Sequence, residues 1–193
     1  INILEMGFGT GNGFITTLNQ LQNLHCKVNF ISLEIDIENI KWAIKHYPEL
    51  AKLNLDENLI CASFDNIELK IFIGDARETI KLLGDYKFDC IYQDAFSPKR
   101  NPRLWTVEWF KDLKHLSKTD TIMSTYSASS SIRKSMHKAG WSVYNGVKFG
   151  KKRSSTRATL NGETQTEILQ QFERSPAITI TDANAEEYRK KDD

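Results

Sequence analysis

Cysteine is scarce and poorly placed for cross-linking: Cys26, Cys61 and Cys90 are three in number and far apart. No C-x-x-C pair occurs, and the four histidines form no H-x-x-x-H. The pattern argues against a disulfide framework or a zinc site, predicts no metal, and fits a reducing cytoplasm. No apolar run approaches the ~20 residues of a membrane-spanning helix, and no signal-peptide pattern is visible. An excess of one charge is also lacking. Lys and Arg number 26 against 25 Asp and Glu, a formal net charge of +1. Any nucleic-acid contact must therefore be a local patch. No internal repeat is found. An initial Met is absent too: the sequence opens with Ile1 on an apolar stretch, which predicts a fragment whose natural N-terminal part is missing. Its 193 residues suffice for one α/β domain with a proper core.

What is present begins at once. Ile3-Leu4-Glu5-Met6 is an apolar run holding an acid, and Gly7-Phe8-Gly9-Thr10-Gly11-Asn12 follows. Phe14, Ile15, Leu18 and Leu21 then recur at helical spacing. This reads as strand, glycine loop and helix, a place where backbone N–H groups can meet a ligand. A dinucleotide fingerprint would need a glycine at the sixth position. Counted from Gly7 that position is Asn12, and from Gly9 it is Phe14. The pattern E-x-G-x-G-x-G, through Glu5, Gly7, Gly9 and Gly11, resembles instead the first motif of class I S-adenosylmethionine methyltransferases. The resemblance implies that Glu5, Gly7, Gly9, Thr10 and Gly11 hold the methionine end of that cofactor.

Strand and helix patterns alternate onward. Val28–Leu33 ends at Glu34; Asp36 can cap a helix stopped by Pro48. Residues 49–67 read as a connection with a short helix. Leu69–Ile73, Phe88–Tyr92 and Thr121–Thr125 read as strands, with helices between. Trp141–Val147 and Thr156–Leu160 read as two late strands. The order predicts an α/β, Rossmann-like fold with a mostly parallel seven-stranded sheet, helices on both faces and a late antiparallel strand. The expected domain covers residues 1–162. Residues 163–193 read as a polar extension, partly ordered or disordered, with a possible strand at Ala177–Thr181.

Acids recur at strand ends, where open α/β sheets bind ligands: Glu5, Glu34, Asp75 and Asp94. Glu34 lies 23 residues beyond Gly11 and could accept both ribose hydroxyls of a nucleoside. In similar methyltransferases the acid at Asp75 holds the adenine amino group, and the N–H of Ala76 meets a ring nitrogen. After the next strand comes Asp94-Ala95-Phe96-Ser97-Pro98-Lys99-Arg100-Asn101-Pro102, then Leu104-Trp105-Thr106. Methyl transfer to nitrogen needs a free lone pair aimed at the methyl. A carboxylate such as Asp94 can orient an amine and take its proton. Phe96 can stack on a base, and Pro98 stiffens the loop.

These segments, with Gly74-Asp75-Ala76-Arg77, Thr125-Tyr126-Ser127-Ala128 and Phe149-Gly150-Lys151-Lys152-Arg153, together resemble the MnmC-type tRNA methyltransferases across about residues 1–160. One departure is that Asn12 stands two positions before Phe14, where the family has asparagine directly before it. The resemblance implies methyl transfer from S-adenosylmethionine to an aminomethyl-(2-thio)uridine at the tRNA wobble position. It also implies a separate FAD-dependent oxidase acting earlier in the same pathway. Asp94 would be catalytic. Phe96, Pro98, Lys99 and Tyr126 would meet the substrate, and Lys151, Lys152 and Arg153 the tRNA backbone. Lys148, Lys151, Lys152, Arg153 and Arg157 fall within ten residues without an acid. Lys99, Arg100 and Arg103, which flank the Asp94 loop, and Arg133, Lys134 and Lys138 are expected to extend this phosphate track. Rival readings are a small-molecule amine methyltransferase, an aminopropyltransferase-like enzyme, or a non-catalytic tRNA-binding module.

Overall fold

The first strand, β1 (Asn2–Met6), is buried from Ile3 onward, as its apolar run requires. In the computed structural model it is followed by α1 (Asn12–Leu21), β2 (Val28–Glu34) and α2 (Ile37–His46). The structure describes residues 1–21, 23–147 and 154–189. The chain divides into two compact units, Ile1–Tyr92 and Gln93–Asp193.

In the first unit, a 3-10 turn at Pro48–Lys52 leads to β3 (Leu59–Phe64), β4 (Ile67–Ile73), α3 (Ala76–Thr79), a 3-10 turn at Ile80–Leu83, and β5 (Phe88–Gln93), whose last residue opens the second unit. The strand order is β3-β4-β2-β1-β5. β2 pairs parallel with both β1 and β4, and β3 runs antiparallel to β4. Asp36 caps α2 by accepting from Glu38 N at 2.9 Å, as its sequence position implied. Phe14 from α1 anchors the core, with ring centroids 5.2 Å from Phe30 and 4.9 Å from Phe64. Such edge contacts add about 0.5–1.5 kcal/mol each beyond burial.

The second unit holds a 3-10 turn at Pro102–Trp105, then α4 (Val107–His115), β6 (Ser117–Thr125), α5 (Ser130–Lys138), β7 (Ser142–Asn145), β8 (Thr156–Thr159) and α6 (Thr166–Arg174). β8 lies between β6 and β7 and is antiparallel to both. Trp105, Trp109, Phe110, Met136 and Trp141 are fully buried. The Trp141 indole is spent on Phe110 O at 2.9 Å, which satisfies the polar atom of a large buried ring.

Two sequence expectations change. Eight strands form among the described residues, not seven. The extra one is β3, where a connection with a short helix was expected. Its alternation is real, with Ile60 and Phe64 buried, but apolar Leu59 on the exposed positions blurs it. Ala177–Thr181 is not a strand. It is irregular backbone fastened by hydrogen bonds: Ser135 Oγ accepts from Ile180 N at 2.8 Å, and Ile180 O accepts from Val107 N at 2.9 Å. Ile180 is fully buried. The tail is thus stitched to α4 and α5 at Ile180 and, through Asp182 N donating to Glu108 Oε2 at 2.9 Å, to α4 again; a 3-10 turn follows at Ala185–Tyr188.

Candidate active site

In the first unit the glycine loop is built from below. Phe8, 2% exposed, drives into the core between Gly7 and Gly9. The loop turns at Gly9 (φ +52°) and Gly11 (φ +82°), left-handed values that favour glycine. A side chain at Gly9 would meet nothing within 4 Å, so the loop tip faces open space. Glu34 sits behind it, 3% exposed. One of its oxygens accepts from Gly9 N at 2.7 Å; the other accepts from Asp36 N at 2.8 Å and Asn39 Nδ2 at 3.2 Å. A carboxylate has about four acceptor positions, so capacity is left for a ligand hydroxyl.

Glu5 is placed differently from the other strand-end acids. It is buried, accepts from Ser32 Oγ at 3.0 Å, and its carboxylate fills the space where a Gly13 side chain would be. The glycine that displaces the expected asparagine is therefore the one residue that leaves room for Glu5. Asn12 is held by the Tyr47 hydroxyl and donates to Thr10 Oγ1 at 3.1 Å. Burial pushes the half-buried Tyr92 phenol up, with charge on Glu5 among the lesser causes.

At the end of β4, Asp75 is exposed and caps α3 by accepting from Arg77 N at 2.9 Å. Ala76 is the first residue of that helix, so its N–H has no intrahelical acceptor. Ile35, directly after Glu34, is apolar yet 61% exposed.

These groups fit S-adenosylmethionine. An open, glycine-lined turn suits a close backbone approach, buried Glu34 suits a ribose hydroxyl, and Asp75 with Ala76 offers one acceptor and one donor to a purine edge. Ile35 offers an apolar surface. Among the described residues, no group of three or more His, Cys, Asp or Glu could hold a metal ion.

In the second unit the loop after β5 is pinned from behind. Gln93 is fully buried. Its Nε2 donates to Leu104 O at 2.7 Å, and its Oε1 accepts from Trp109 Nε1 at 3.2 Å. Ala95 O accepts from the Tyr126 hydroxyl at 3.0 Å, and Phe96 O accepts from Trp105 Nε1 at 2.7 Å. Ser97 O accepts from Arg100 N at 2.8 Å and Asn101 N at 2.9 Å. Successive carbonyls are thus engaged, while Asp94, Phe96 and Lys99 stay exposed and Pro98 half-buried. The Arg100 guanidinium lies over the Phe96 ring at 4.9 Å. Tyr126 is pushed up to about 12, first by burial and then by the charge of Asp94. Its phenol therefore remains a donor at neutral pH. Tyr126, expected as a substrate contact, spends its hydroxyl on this loop.

The expected phosphate track changes. Arg133 is buried, 2% exposed, and donates to Thr156 Oγ1 at 2.8 Å, Ser155 O at 2.9 Å, Ser154 Oγ at 3.2 Å and Gln171 Oε1 at 3.3 Å. Burial lowers its pKa. Lys134 Nζ donates to Ser175 O and Ala177 O, both at 2.8 Å. These two cations hold the fold together. Lys99, Arg100, Arg103, Lys138 and Arg157 remain exposed. Lys148, Lys151, Lys152 and Arg153 lie outside the described residues.

Sequence reading missed Ile35, Gln93 and Trp105. A polar Gln93 ending a buried strand was a usable signal, as was an apolar residue following a strand-end acid. Nothing in the sequence showed which carbonyl Trp105 would bind.

A family model described as S-adenosyl-L-methionine-dependent methyltransferase matches residues 37–161. The bifunctional protein MnmC of tRNA 5-methylaminomethyl-2-thiouridine biosynthesis from Leptospira borgpetersenii is 31% identical over 169 residues, 78% of this chain and 26% of that protein. The Campylobacter hominis protein of the same name is 29% identical over 192 residues, 91% of this chain and 28% of that protein. The chain spans about a quarter of the length of these curated relatives. Among solved structures, MNMC2 from Aquifex aeolicus superimposes with a TM-score of 0.78 at 29% identity, covering 99% of this chain and 64% of that one. Human methyltransferase-like protein 13 in complex with SAH matches at TM-score 0.60 and 13% identity, over all of this chain and 85% of that one. The α/β architecture is thus the Rossmann-like methyltransferase fold.

Proposed function

The chain belongs to the S-adenosyl-L-methionine-dependent methyltransferases, and from that premise we propose that it N-methylates an aminomethyl-(2-thio)uridine at the wobble position of tRNA. S-adenosyl-L-methionine is its cofactor, and when bound it supplies an electrophilic methyl on a sulfonium. Two observations support the acceptor: the likeness to MnmC proteins over most of the chain, and the pinned loop that leaves Asp94 and Phe96 exposed. The loop is the observation that carries the mechanism.

Glu34 accepts a ribose hydroxyl, Asp75 and Ala76 read the adenine edge, and Ile35 lies along its face. Gly7, Gly9, Thr10 and Gly11 surround the methionine end, while Glu5 supports the loop from the core. Asp94 accepts a hydrogen bond from the substrate amine, aims its lone pair and takes its proton. A nitrogen–carbon bond forms as the carbon–sulfur bond breaks, and the proton leaves through Asp94 to water. Phe96 stacks on the uracil ring, with Pro98 stiffening the turn and Lys99, Lys151, Lys152 and Arg153 meeting phosphates. The setting is cytoplasmic, and the aminomethyl group is supplied by an earlier reaction, here assigned to an FAD-dependent oxidase.

Incubation with methyl-labelled S-adenosylmethionine and tRNA carrying the aminomethyl group, followed by nucleoside analysis, tests this reading. The expected product is methylaminomethyl-(thio)uridine. Label appearing only on free amines, or on another nucleoside, would overturn it.

A further inference from the structure

The three strands of the second unit have two unlike faces. Thr121, Met123, Thr125, Val143, Thr156 and Ala158 are buried. The alternate positions are not. Cross-strand register places Ser124, Arg157 and Tyr144 in one row, and Ile122, Thr159 and Ser142 in the next. Ser124 and Arg157 are exposed and Tyr144 is half-buried.

This open face carries a cavity of about 540 Å³, lined by Tyr144, Asn145, Arg157, Thr159, Asn161 and Gln165. Ligand clefts commonly span roughly 300–1,000 Å³. Its rim is fixed. Gln165 Oε1 accepts from Asn145 N at 3.0 Å and its Nε2 donates to Glu167 at 3.0 Å; Asn161 Nδ2 donates to Asp120 at 2.7 Å. Gly162 leaves room for the tyrosine ring, since a Cβ there would come within 2.6 Å of the Tyr144 hydroxyl. The groups left to meet a ligand are one guanidinium, one aromatic ring and the Asn145 amide.

We propose that this groove is a nucleotide subsite for RNA, with Arg157 pairing a backbone phosphate and Tyr144 presenting its ring to an unpaired base. The proposal rests on the tRNA reading and adds a contact to it. Three features favour RNA. A planar guanidinium suits phosphate, and a half-exposed ring suits any base. Lys148, Lys151, Lys152 and Arg153 fall in the sequence between β7 and β8. Finally, the groove lies close in sheet register to the acceptor loop's support: Arg157 pairs with Ser124, two residues before Tyr126. The nucleotide held would be one flanking the modified residue.

The test uses a fluorescein-labelled anticodon stem-loop RNA, titrated by anisotropy across a salt series with wild type, Arg157→Gln and Tyr144→Leu. Arg157→Gln should flatten the log K against log salt slope by roughly 0.7–0.9. Tyr144→Leu should weaken binding by about tenfold with the slope retained. Both should keep wild-type affinity for S-adenosylmethionine, which checks folding. Variants that bind RNA within twofold of wild type, with an unchanged slope, would overturn the subsite and leave the tRNA reading standing. A wild-type protein that binds no RNA would overturn both.

Discussion

The two units arrange their acidic side chains in opposite ways. In the first, the acids are the scaffold: Glu34 and Glu5 are each 3% exposed and brace the glycine loop and the start of α1 from beneath. In the second, aromatic and amide side chains are the scaffold. Trp105, Tyr126 and Gln93 hold the backbone, and Asp94 and Phe96 are left exposed. A cofactor of fixed shape can be read by preset backbone groups and buried carboxylates. An acceptor on a large nucleic acid needs exposed chemistry on a rigid backbone. The difference teaches that preorganisation is achieved in both units, with the carboxylates buried in the first and the Asp94 carboxylate exposed in the second.

The sharpest way to separate the units is Asp94→Ala. Loss of a positioned acid–base group typically costs about 10²–10⁴-fold, so turnover should fall by that order under saturating cofactor. A loss under tenfold in single-turnover kinetics would make Asp94 part of the scaffold. Next is Glu34→Ala, which removes a charged acceptor from both loop and ligand. Cofactor affinity should weaken by about 10–100-fold in calorimetry, at about 1.5–3 kcal/mol per charged hydrogen bond. Unchanged affinity would break the contrast between the two units.

Gly13→Ala forces a methyl against the Glu5 carboxylate. Overpacking costs about 1–3 kcal/mol, and denaturant melts should show it, whereas Gly9→Ala is strained only by its backbone. The smallest effect is expected at Tyr126. Its pKa rises from 10.0 to about 12 in the fold, so the folded state holds that proton more tightly. The stabilisation is present below pH 10 and is lost as pH climbs through 12. With the ring half exposed, the contribution is discounted to about 1 kcal/mol. Stability of wild type should fall between pH 10 and 12 more steeply than that of Tyr126→Phe. Parallel curves would mean the phenol is not perturbed.

Much of the first unit was legible in the sequence, because its devices are local. A glycine turn, a strand-end acid and a cap at Asp36 each follow from neighbours in the chain. β3 was hidden because exposed Leu59 disguised its alternation. The role of Glu5 was hidden because its reason, the missing side chain at Gly13, is a tertiary fact. In the second unit, Asp94 and Phe96 stood out by their motif after a strand, but the bonds from Trp105 and Tyr126 join residues that only folding brings together. Arg133 shows the same limit: its charge suggested phosphate, and its burial commits it to β8 and α6 instead.

The division itself is tested most directly by titrating two ligands into two variants. S-adenosylmethionine and labelled tRNA are each titrated into Glu34→Ala and Asp94→Ala. The expected result is that Glu34→Ala weakens cofactor affinity by about 10–100-fold and keeps tRNA affinity, while Asp94→Ala keeps wild-type affinity for both ligands and, when both are present, methylates the tRNA about 10²–10⁴-fold more slowly. Loss of cofactor affinity in Asp94→Ala, equal to that in Glu34→Ala, would contradict the account.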